Sequence, residues 1–134
     1  MLNPQFAHGH TTFKASILSA RRDVIARVTV HAQLEQLKKT GRYECFELKW
    51  HPTYNDKTSW PVPPHLFWDS DLAKWIEGAC YFLGERFDAE VDAAIKYIVS
   101  TIQTAQAEDG YLNLHYTVVE PGKRWTNLRD MHEL

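Results

Sequence analysis

Cysteine is scarce in this chain, and long apolar runs and an excess of charge of one sign are both lacking. The two cysteines, Cys45 and Cys80, are too few for a disulfide scaffold and form no CxxC zinc knuckle. No apolar run approaches the ~18 residues of a transmembrane helix. With 15 basic and 17 acidic residues, the net charge of −2 argues against a strongly basic nucleic-acid binder. We therefore expect neither a membrane nor a nucleic-acid partner.

The first ten residues are polar and uneven, and they lack the apolar core of a secretory signal. We expect a cytoplasmic protein with free thiols, in which residues 1–15 form an extended N-terminal arm. Residues 16–134 are expected to form one folded unit, because a typical domain spans ~100–200 residues. The hydrophobic fraction of 44% and the aromatic fraction of 13% are typical of a globular chain with a buried core.

Apolar residues recur with helical spacing in three segments, and no strand pattern stands out. The first predicted helix covers about residues 16–40, the second about 69–87 and the third about 88–107. Asp88 is the predicted N-terminal cap of the third helix, because its carboxylate can accept hydrogen bonds from free backbone N–H groups. The one-residue gap that this leaves between the second and third helices predicts an antiparallel hairpin.

The apolar faces of these helices predict the core. The first helix has an apolar arc and a second apolar set on another side, so we expect it to contact more than one neighbour. The arc comprises Ile17, Leu18, Ala20, Val24, Ile25, Val28 and Ala32, and the second set comprises Val30, Leu34 and Leu37. A stripe on the third helix is expected to pack against one on the second. These stripes comprise Val91, Ile95, Ile98 and Ile102, and Leu72, Ile76, Ala79 and Leu83.

Two aromatic segments, residues 42–68 and 111–126, break the helical period and are predicted to be loops. Their rings either pack against the helices or stack on sugars, because each has a flat apolar face. The rings belong to Trp50, Trp60, Trp68, Tyr111, Tyr116 and Trp125. Thr126 or Asn127 is predicted to cap a fourth helix that has barely begun at Leu134. Three long helices and the start of a fourth predict one part of a larger all-α array.

Recognisable catalytic and metal-binding motifs are few. His132-Glu133 matches only the first two letters of the HExxH zinc motif, and His8 and His10 fall in the predicted arm, so no metal site is predicted in this chain. No GxSxG elbow, P-loop or GxGxxG motif is present. Cys80 is expected to be a buried thiol on the apolar side of the second helix.

The remaining candidates for chemistry are Cys45, which has acidic neighbours, and the carboxylates of Asp69 and Asp71. Glu44 and Glu47 flank Cys45, and their charges would raise its thiol pKa instead of activating it. Asp69 and Asp71 either cap the second helix or bind sugar hydroxyls at its start. Glycosidases need two opposed carboxylates, and the sequence alone places no such pair.

Three segments, taken together and in this order, resemble glycoside hydrolase family 127, the β-L-arabinofuranosidase-like group. Residues 67–77, FWDSDLAKWIE, are similar to the family's F-x-DSD-x-x-KWLE run. Residues 105–113, AQAEDGYLN, are similar to its AQ-x-x-DGYL turn, and residues 124–134, RWTNLRDMHEL, are similar to its RW-x-NL and HEL-Y stretch. The resemblance covers about residues 15–134.

The resemblance implies the N-terminal helices of an incomplete (α/α)6 barrel. It also implies a retaining exo-glycosidase with a Cys nucleophile in a zinc site of three Cys and one Glu, and a separate Glu as acid/base. These residues lie downstream of the HEL-Y segment in the family, and neither cysteine of this chain matches them, so no catalytic residue and no zinc ligand is predicted here. His132 matches a substrate contact of the family. Asp69, Asp71 and Tyr111 are weaker substrate-binding candidates near the same barrel mouth.

We therefore expect an N-terminal fragment of a glycosidase that acts on L-arabinofuranose in an oligosaccharide or glycoconjugate. The chain alone is expected to be inactive. The alternatives are a non-catalytic helical fragment that binds carbohydrate or a protein partner, and an unrelated helical interaction module.

Overall fold

The computed structural model describes residues 14–50 and 63–129. The helices in chain order are α1 (Ile17–Val24), α2 (Val30–Lys39), α3 (Trp68–Leu83), α4 (Ala89–Ala105) and α5 (His115–Val118). A π-helical segment, Ile25–Thr29, joins α1 to α2, and short 3-10 helices span Cys45–Glu47 and Pro121–Lys123. No strand occurs within the described residues, in agreement with the all-α prediction. Within the same residues, no helix has both the length and the apolarity needed to cross a bilayer.

The first predicted helix is one continuous helical rod with a wide turn in its middle. Ser16 and Ser19 form a capping box at its start, in which each side chain bonds with the backbone N–H of the other. In the wide turn the N–H of Val30 donates to the carbonyl of Ile25, five residues back. Within this rod, only α2 buries apolar side chains in the core. The buried residues of α2 are Val30, Leu34 and Leu37, whereas α1 and the π-helical segment bury none.

The second predicted helix begins one residue earlier and ends four residues sooner than its pattern indicated. α3 starts at Trp68, which is 1% exposed, and its N-cap residue Phe67 makes no side-chain capping bond, while Asp69 and Asp71 lie in the first turn. Gly84 ends the helix, and Phe87 is exposed, so no apolar contact there favours a further turn. The connection to α4 therefore has five residues instead of the predicted one.

Asp88 caps α4 as predicted, accepting hydrogen bonds from the N–H groups of Glu90 and Val91, both at 3.1 Å. α3 and α4 form an antiparallel hairpin, because the start of α3 bonds with the chain that follows α4. The predicted stripes meet in a core formed with α2 and the Cys45–Glu47 turn. Its fully enclosed members are Leu34, Cys45, Trp68, Leu72, Ala79, Ile98 and Leu114. The half-buried residues Ile76, Leu83, Ile95 and Ile102 pack at its edge.

The chain after α4 is more ordered than its aromatic composition predicted. Gly110 has a φ of 88°, a conformation that glycine adopts without strain, and its N–H donates to the carbonyl of Ala107 at 2.8 Å. The side chain of Asn113 then accepts from the N–H of Tyr116 at 3.0 Å, which fixes the first turn of α5. Thr126 caps no helix within the described residues, since its hydroxyl donates back to the carbonyl of Lys123.

Candidate functional site

Three segments of the chain lie at the same end of the helical bundle, which we call the loop end. The chain after α2, the chain before α3 and the chain after α4 meet there because adjacent helices are antiparallel. Arg42 bonds with Asp71, and Asp69 bonds with the N–H of Leu114, so the first turn of α3 is joined both to the chain after α2 and to the chain after α4. The predicted site residues Asp69, Asp71 and Tyr111 all belong to this end.

Asp69 ties the start of α3 to the segment after α4. One carboxylate oxygen accepts from the N–H of Ser70 at 2.7 Å, and the other accepts from the N–H of Leu114 at 3.3 Å. Burial raises the pKa of Asp69, and these backbone hydrogen bonds oppose that rise. The carboxylate thus has two backbone partners in the described structure.

Asp71 lies two residues further along α3 and pairs with a residue of the chain after α2. Arg42 donates its Nε–H to Asp71 at 3.1 Å, and the Arg42 guanidinium lies 4.8 Å from the centre of the Trp68 ring. The side chain of Asp71 is 37% exposed, so its carboxylate also reaches the surface at the loop end.

Tyr111 lies beneath Arg124, a residue of the RW-x-NL match for which the sequence predicted no role. The Arg124 guanidinium is 3.6 Å from the centre of the Tyr111 ring, and its Nη2 is 2.7 Å from a carboxylate oxygen of Asp109. Trp125 meets Tyr111 edge-on, with ring centres 4.8 Å apart, and has a φ of 65°. The N–H of Tyr111 and the charge of Arg124 both lower the pKa of Asp109. Arg124 therefore holds the DGYL turn against the RW segment.

His115 is a second residue with a role that its sequence context did not reveal. Its Nδ1 is 2.9 Å from the carbonyl oxygen of Pro64, and a carbonyl only accepts, so Nδ1 is the donor in this hydrogen bond. Nε2 lies 3.4 Å from a carboxylate oxygen of Glu120. The imidazole fixes the segment before α3 against α5. A contact across 51 residues leaves no local sequence signal by which it could be found.

The two cysteines lie in different environments, and only Cys80 was expected to be buried. Cys80 is exposed, because it lies on the outer face of α3 beside the buried Ala79, so the prediction of a buried thiol is wrong. Cys45 is completely buried. Burial, and after it the charge of Asp69, raises the pKa of the Cys45 thiol, whereas the sequence had suggested Glu44 and Glu47 as the cause.

Four of the six aromatic rings predicted to lie in the two loop segments belong to the core. Trp50, Trp68, Tyr111 and Tyr116 are buried, which supports the packing interpretation for them. Trp125 differs, because it is 54% exposed at the loop end. Trp60 and His132 lie outside the described residues, as do residues 1–13 of the predicted arm.

Comparison with known proteins shows to which family the chain belongs. The family model described as "Beta-L-arabinofuranosidase, GH127 catalytic domain" matches residues 10–134, which is most of the chain. The chain belongs to the GH127 family. The helical bundle is accordingly part of a GH127 catalytic domain, as the three sequence segments predicted.

Two GH127 relatives show how much of a family member the chain covers. It is similar to a crystal structure of a GH127 β-L-arabinofuranosidase from Geobacillus stearothermophilus T6, with a TM-score of 0.76 and 32% identity over 91% of this chain and 20% of that one. It is 42% identical over 53 residues to a non-reducing end β-L-arabinofuranosidase of Bifidobacterium longum subsp. longum, covering 40% of this chain and 8% of the relative. The chain thus spans about a fifth or less of the length of these relatives.

The zinc site that the family resemblance implies does not fit the residues of this chain. That site needs three cysteines, and the chain has two, one buried in the core and one exposed on α3. The described residues also contain no cluster of three His, Cys, Asp or Glu side chains that could hold a metal ion. No catalytic step is therefore assigned to zinc within this chain.

Proposed function

We propose that this chain forms the N-terminal portion of the catalytic domain of a retaining exo-glycosidase that releases L-arabinofuranose. The observation that carries the proposal is the structural match to a GH127 β-L-arabinofuranosidase. This match covers 91% of the chain at 32% identity. The substrate is an arabinose-containing oligosaccharide or glycoconjugate. A cytoplasmic location stays a prediction from the sequence.

The loop end is the proposed substrate-facing end of this portion. His132 is proposed to hydrogen-bond a sugar hydroxyl, and Asp69, Asp71 and Tyr111 are proposed to line the same mouth. Among these three, Asp71 has the best access, because its carboxylate reaches the surface while Arg42 fixes its orientation. A carboxylate held in this way can accept a hydrogen bond from a hydroxyl without a further change of rotamer.

The nucleophile, the zinc ligands and the acid/base Glu of the proposed enzyme lie outside this chain. The chain on its own therefore supplies a wall of the site and binds substrate weakly or not at all, because the reacting groups are absent. Incubation of the purified chain with a chromogenic β-L-arabinofuranoside should give no turnover. Turnover that is lost in Cys45→Ser or Cys80→Ser would contradict this assignment.

A chimera gives the positive test. This chain replaces the matching fifth of the Geobacillus stearothermophilus enzyme, and hydrolysis of the chromogenic arabinofuranoside is measured. Turnover by the chimera is expected, because the segment would complete the same catalytic domain. A folded chimera that binds no arabinofuranoside and hydrolyses none would overturn the proposal.

A non-catalytic role in carbohydrate binding is the second candidate, favoured by the exposed indole of Trp125 beside Arg124 at the loop end. An exposed ring next to hydrogen-bond donors is a suitable surface for a sugar. Saturable binding of an arabinose oligosaccharide by the isolated chain, together with an inactive chimera, would favour this role.

A further inference from the structure

The chain after α5 has two energetically unfavourable features in consecutive residues. Trp125 has a φ of 65°, which lies in the left-handed region that a bulky side chain rarely adopts. The Nε–H of Arg124 is buried and has no hydrogen-bond partner in the described structure. A strained backbone and an orphaned buried donor both cost free energy. Such features are concentrated where a fold holds a side chain in position for a ligand.

Trp125 is held at the surface in a fixed position. It is 54% exposed, whereas the other tryptophans of the described residues are at most 8% exposed. The hydroxyl and the backbone N–H of Thr126 both donate to the carbonyl of Lys123, at 2.6 and 3.2 Å, which closes a turn around Trp125. Its ring also meets the Tyr111 ring edge-on. The indole is therefore oriented by its neighbours while more than half of its surface stays accessible.

Arg124 provides hydrogen-bond donors beside this indole. Its guanidinium lies 3.6 Å from the centre of the Tyr111 ring and 5.2 Å from the centre of the Trp125 ring. Nη2 bonds with Asp109, whereas Nη1 makes no hydrogen bond within the described residues and is not buried. Nη1 can therefore donate to a ligand oxygen. We call Tyr111, Arg124 and Trp125 the aromatic platform.

The charges at the aromatic platform narrow the chemistry of its ligand. The N–H of Tyr111 and the charge of Arg124 lower the pKa of Asp109, so its carboxylate is ionised at neutral pH and balances the guanidinium. An anionic ligand would meet this exposed carboxylate. A neutral sugar fits better, because the apolar face of its ring can stack on the indole while a hydroxyl at its rim accepts from Nη1.

We propose that the aromatic platform binds the sugar to which the terminal arabinofuranose is attached, and is thus a subsite for the leaving group. The inference rests on the proposed function. An exo-glycosidase encloses the terminal sugar, here with His132, so the next sugar lies nearer to solvent, where the exposed indole is accessible. This role differs from the non-catalytic binding considered above, since the platform here contributes to the specificity of an active enzyme.

The test compares two substrates in the chimera described above. One is an L-arabinofuranose disaccharide, and the other is methyl β-L-arabinofuranoside, whose leaving group has no ring. Trp125→Ala should lower the ratio of their kcat/KM values about 2- to 10-fold, as expected for one lost aromatic contact. Trp125→Phe keeps a ring and should retain most of the ratio. Phe87→Ala is the matched control, because Phe87 is an exposed aromatic residue at the opposite end of the bundle, and it should leave the ratio unchanged.

The left-handed backbone at Trp125 provides a second readout. Glycine adopts this φ without strain, so Trp125→Gly should have a higher Tm than Trp125→Ala while lowering the ratio as much. A ring that served only packing would give the opposite result, in which both variants lower Tm and neither changes the ratio. That result overturns the proposal.

The two proposals can fail separately. Turnover of the methyl glycoside tests the proposed function, and turnover with a ratio that Trp125→Ala leaves unchanged rejects only the platform. If the chimera is inactive or does not fold, the purified chain is titrated with the disaccharide while its indole N–H signals are followed by NMR. A saturable shift of the Trp125 signal, identified by its absence in Trp125→Phe, supports the platform if it exceeds that of the buried Trp75. No shift overturns the platform.

Discussion

The carboxylate of Asp69 accepts a hydrogen bond from the backbone N–H of Leu114, 45 residues further along the chain. Leu114 is almost completely buried, so its N–H has no access to water as a substitute partner. This contact connects the DSD run to the segment that follows the DGYL turn, which explains physically why both segments are needed to form the loop end.

Removing the Asp69 carboxylate should destabilise the isolated chain. Asp69→Ala leaves a buried N–H unpaired, which costs ~1–3 kcal/mol in the free energy of unfolding. Asp69→Asn should cost less, because its amide oxygen can still accept one of the two backbone bonds. Urea unfolding followed by circular dichroism measures both. Equal stability of Asp69→Ala and the wild type would show that this hydrogen bond contributes nothing.

The same residue predicts a dependence of stability on pH. Burial raises the pKa of Asp69 in the folded state above its ordinary value of 3.8. The folded state therefore holds this proton more tightly than the unfolded state, and the resulting stabilisation is lost as the pH rises from about 4 through the raised pKa. Since Asn does not titrate, the stability of the wild type relative to Asp69→Asn should fall over this range. A constant difference would contradict the raised pKa.

Asp88 should have the opposite pH dependence. The N–H of Val91 and the imidazole of His31, at 3.0 Å, are among the groups that lower the pKa of Asp88 in the folded state. Its contribution is present above the unfolded pKa and is lost as the pH falls through the lowered folded value. Asp88→Ala should cost ~0.5–2 kcal/mol at neutral pH through the lost helix cap, and Asp88→Asn, which keeps a capping oxygen, should cost less. Thermal melts at several pH values check both effects.

The stripe of α4 gives a prediction about core packing. Ile98 is completely buried, and Ile98→Ala should lower the free energy of unfolding by ~2–5 kcal/mol through lost contacts and a residual cavity. Val99→Ala, one residue away and partly exposed, is the matched control and should cost less than about 1 kcal/mol. A loss below ~0.5 kcal/mol for Ile98→Ala would show that the stripe is not a core surface.

Local patterns predicted the helices and much of the core, because the spacing of apolar residues and the cap at Asp88 are short-range properties. The arc of the first helix was harder to interpret, since two apolar sides were visible and only the Val30 side is buried within the described residues. The π-helical turn at Ile25–Thr29 could not be predicted, because the composition of these residues does not distinguish it from an α-helix. Cys80 was misplaced because its neighbour Ala79, and not Cys80 itself, faces the core.

The loop end could be predicted only through the family resemblance. Its geometry depends on partners far apart in sequence, such as Arg42 with Asp71 and His115 with Pro64. Tertiary contacts of this kind have no periodicity that a single sequence displays. Arg124 and Trp125 were visible as part of the RW-x-NL match, but the stacking of Arg124 on Tyr111 requires the turn geometry at Gly110.

The proposed substrate role of His132 gives the last prediction. In the active chimera, His132→Ala should lower kcat/KM by about 5- to 150-fold, which corresponds to the ~1–3 kcal/mol of one hydrogen bond to a sugar hydroxyl. Its Tm should change little, because a side chain that faces substrate contributes little to packing. His115→Ala is the comparison, since His115 bonds with Pro64 inside the fold and its loss should lower Tm. A His132→Ala chimera that melts much earlier yet keeps normal kcat/KM while folded would mark His132 as structural.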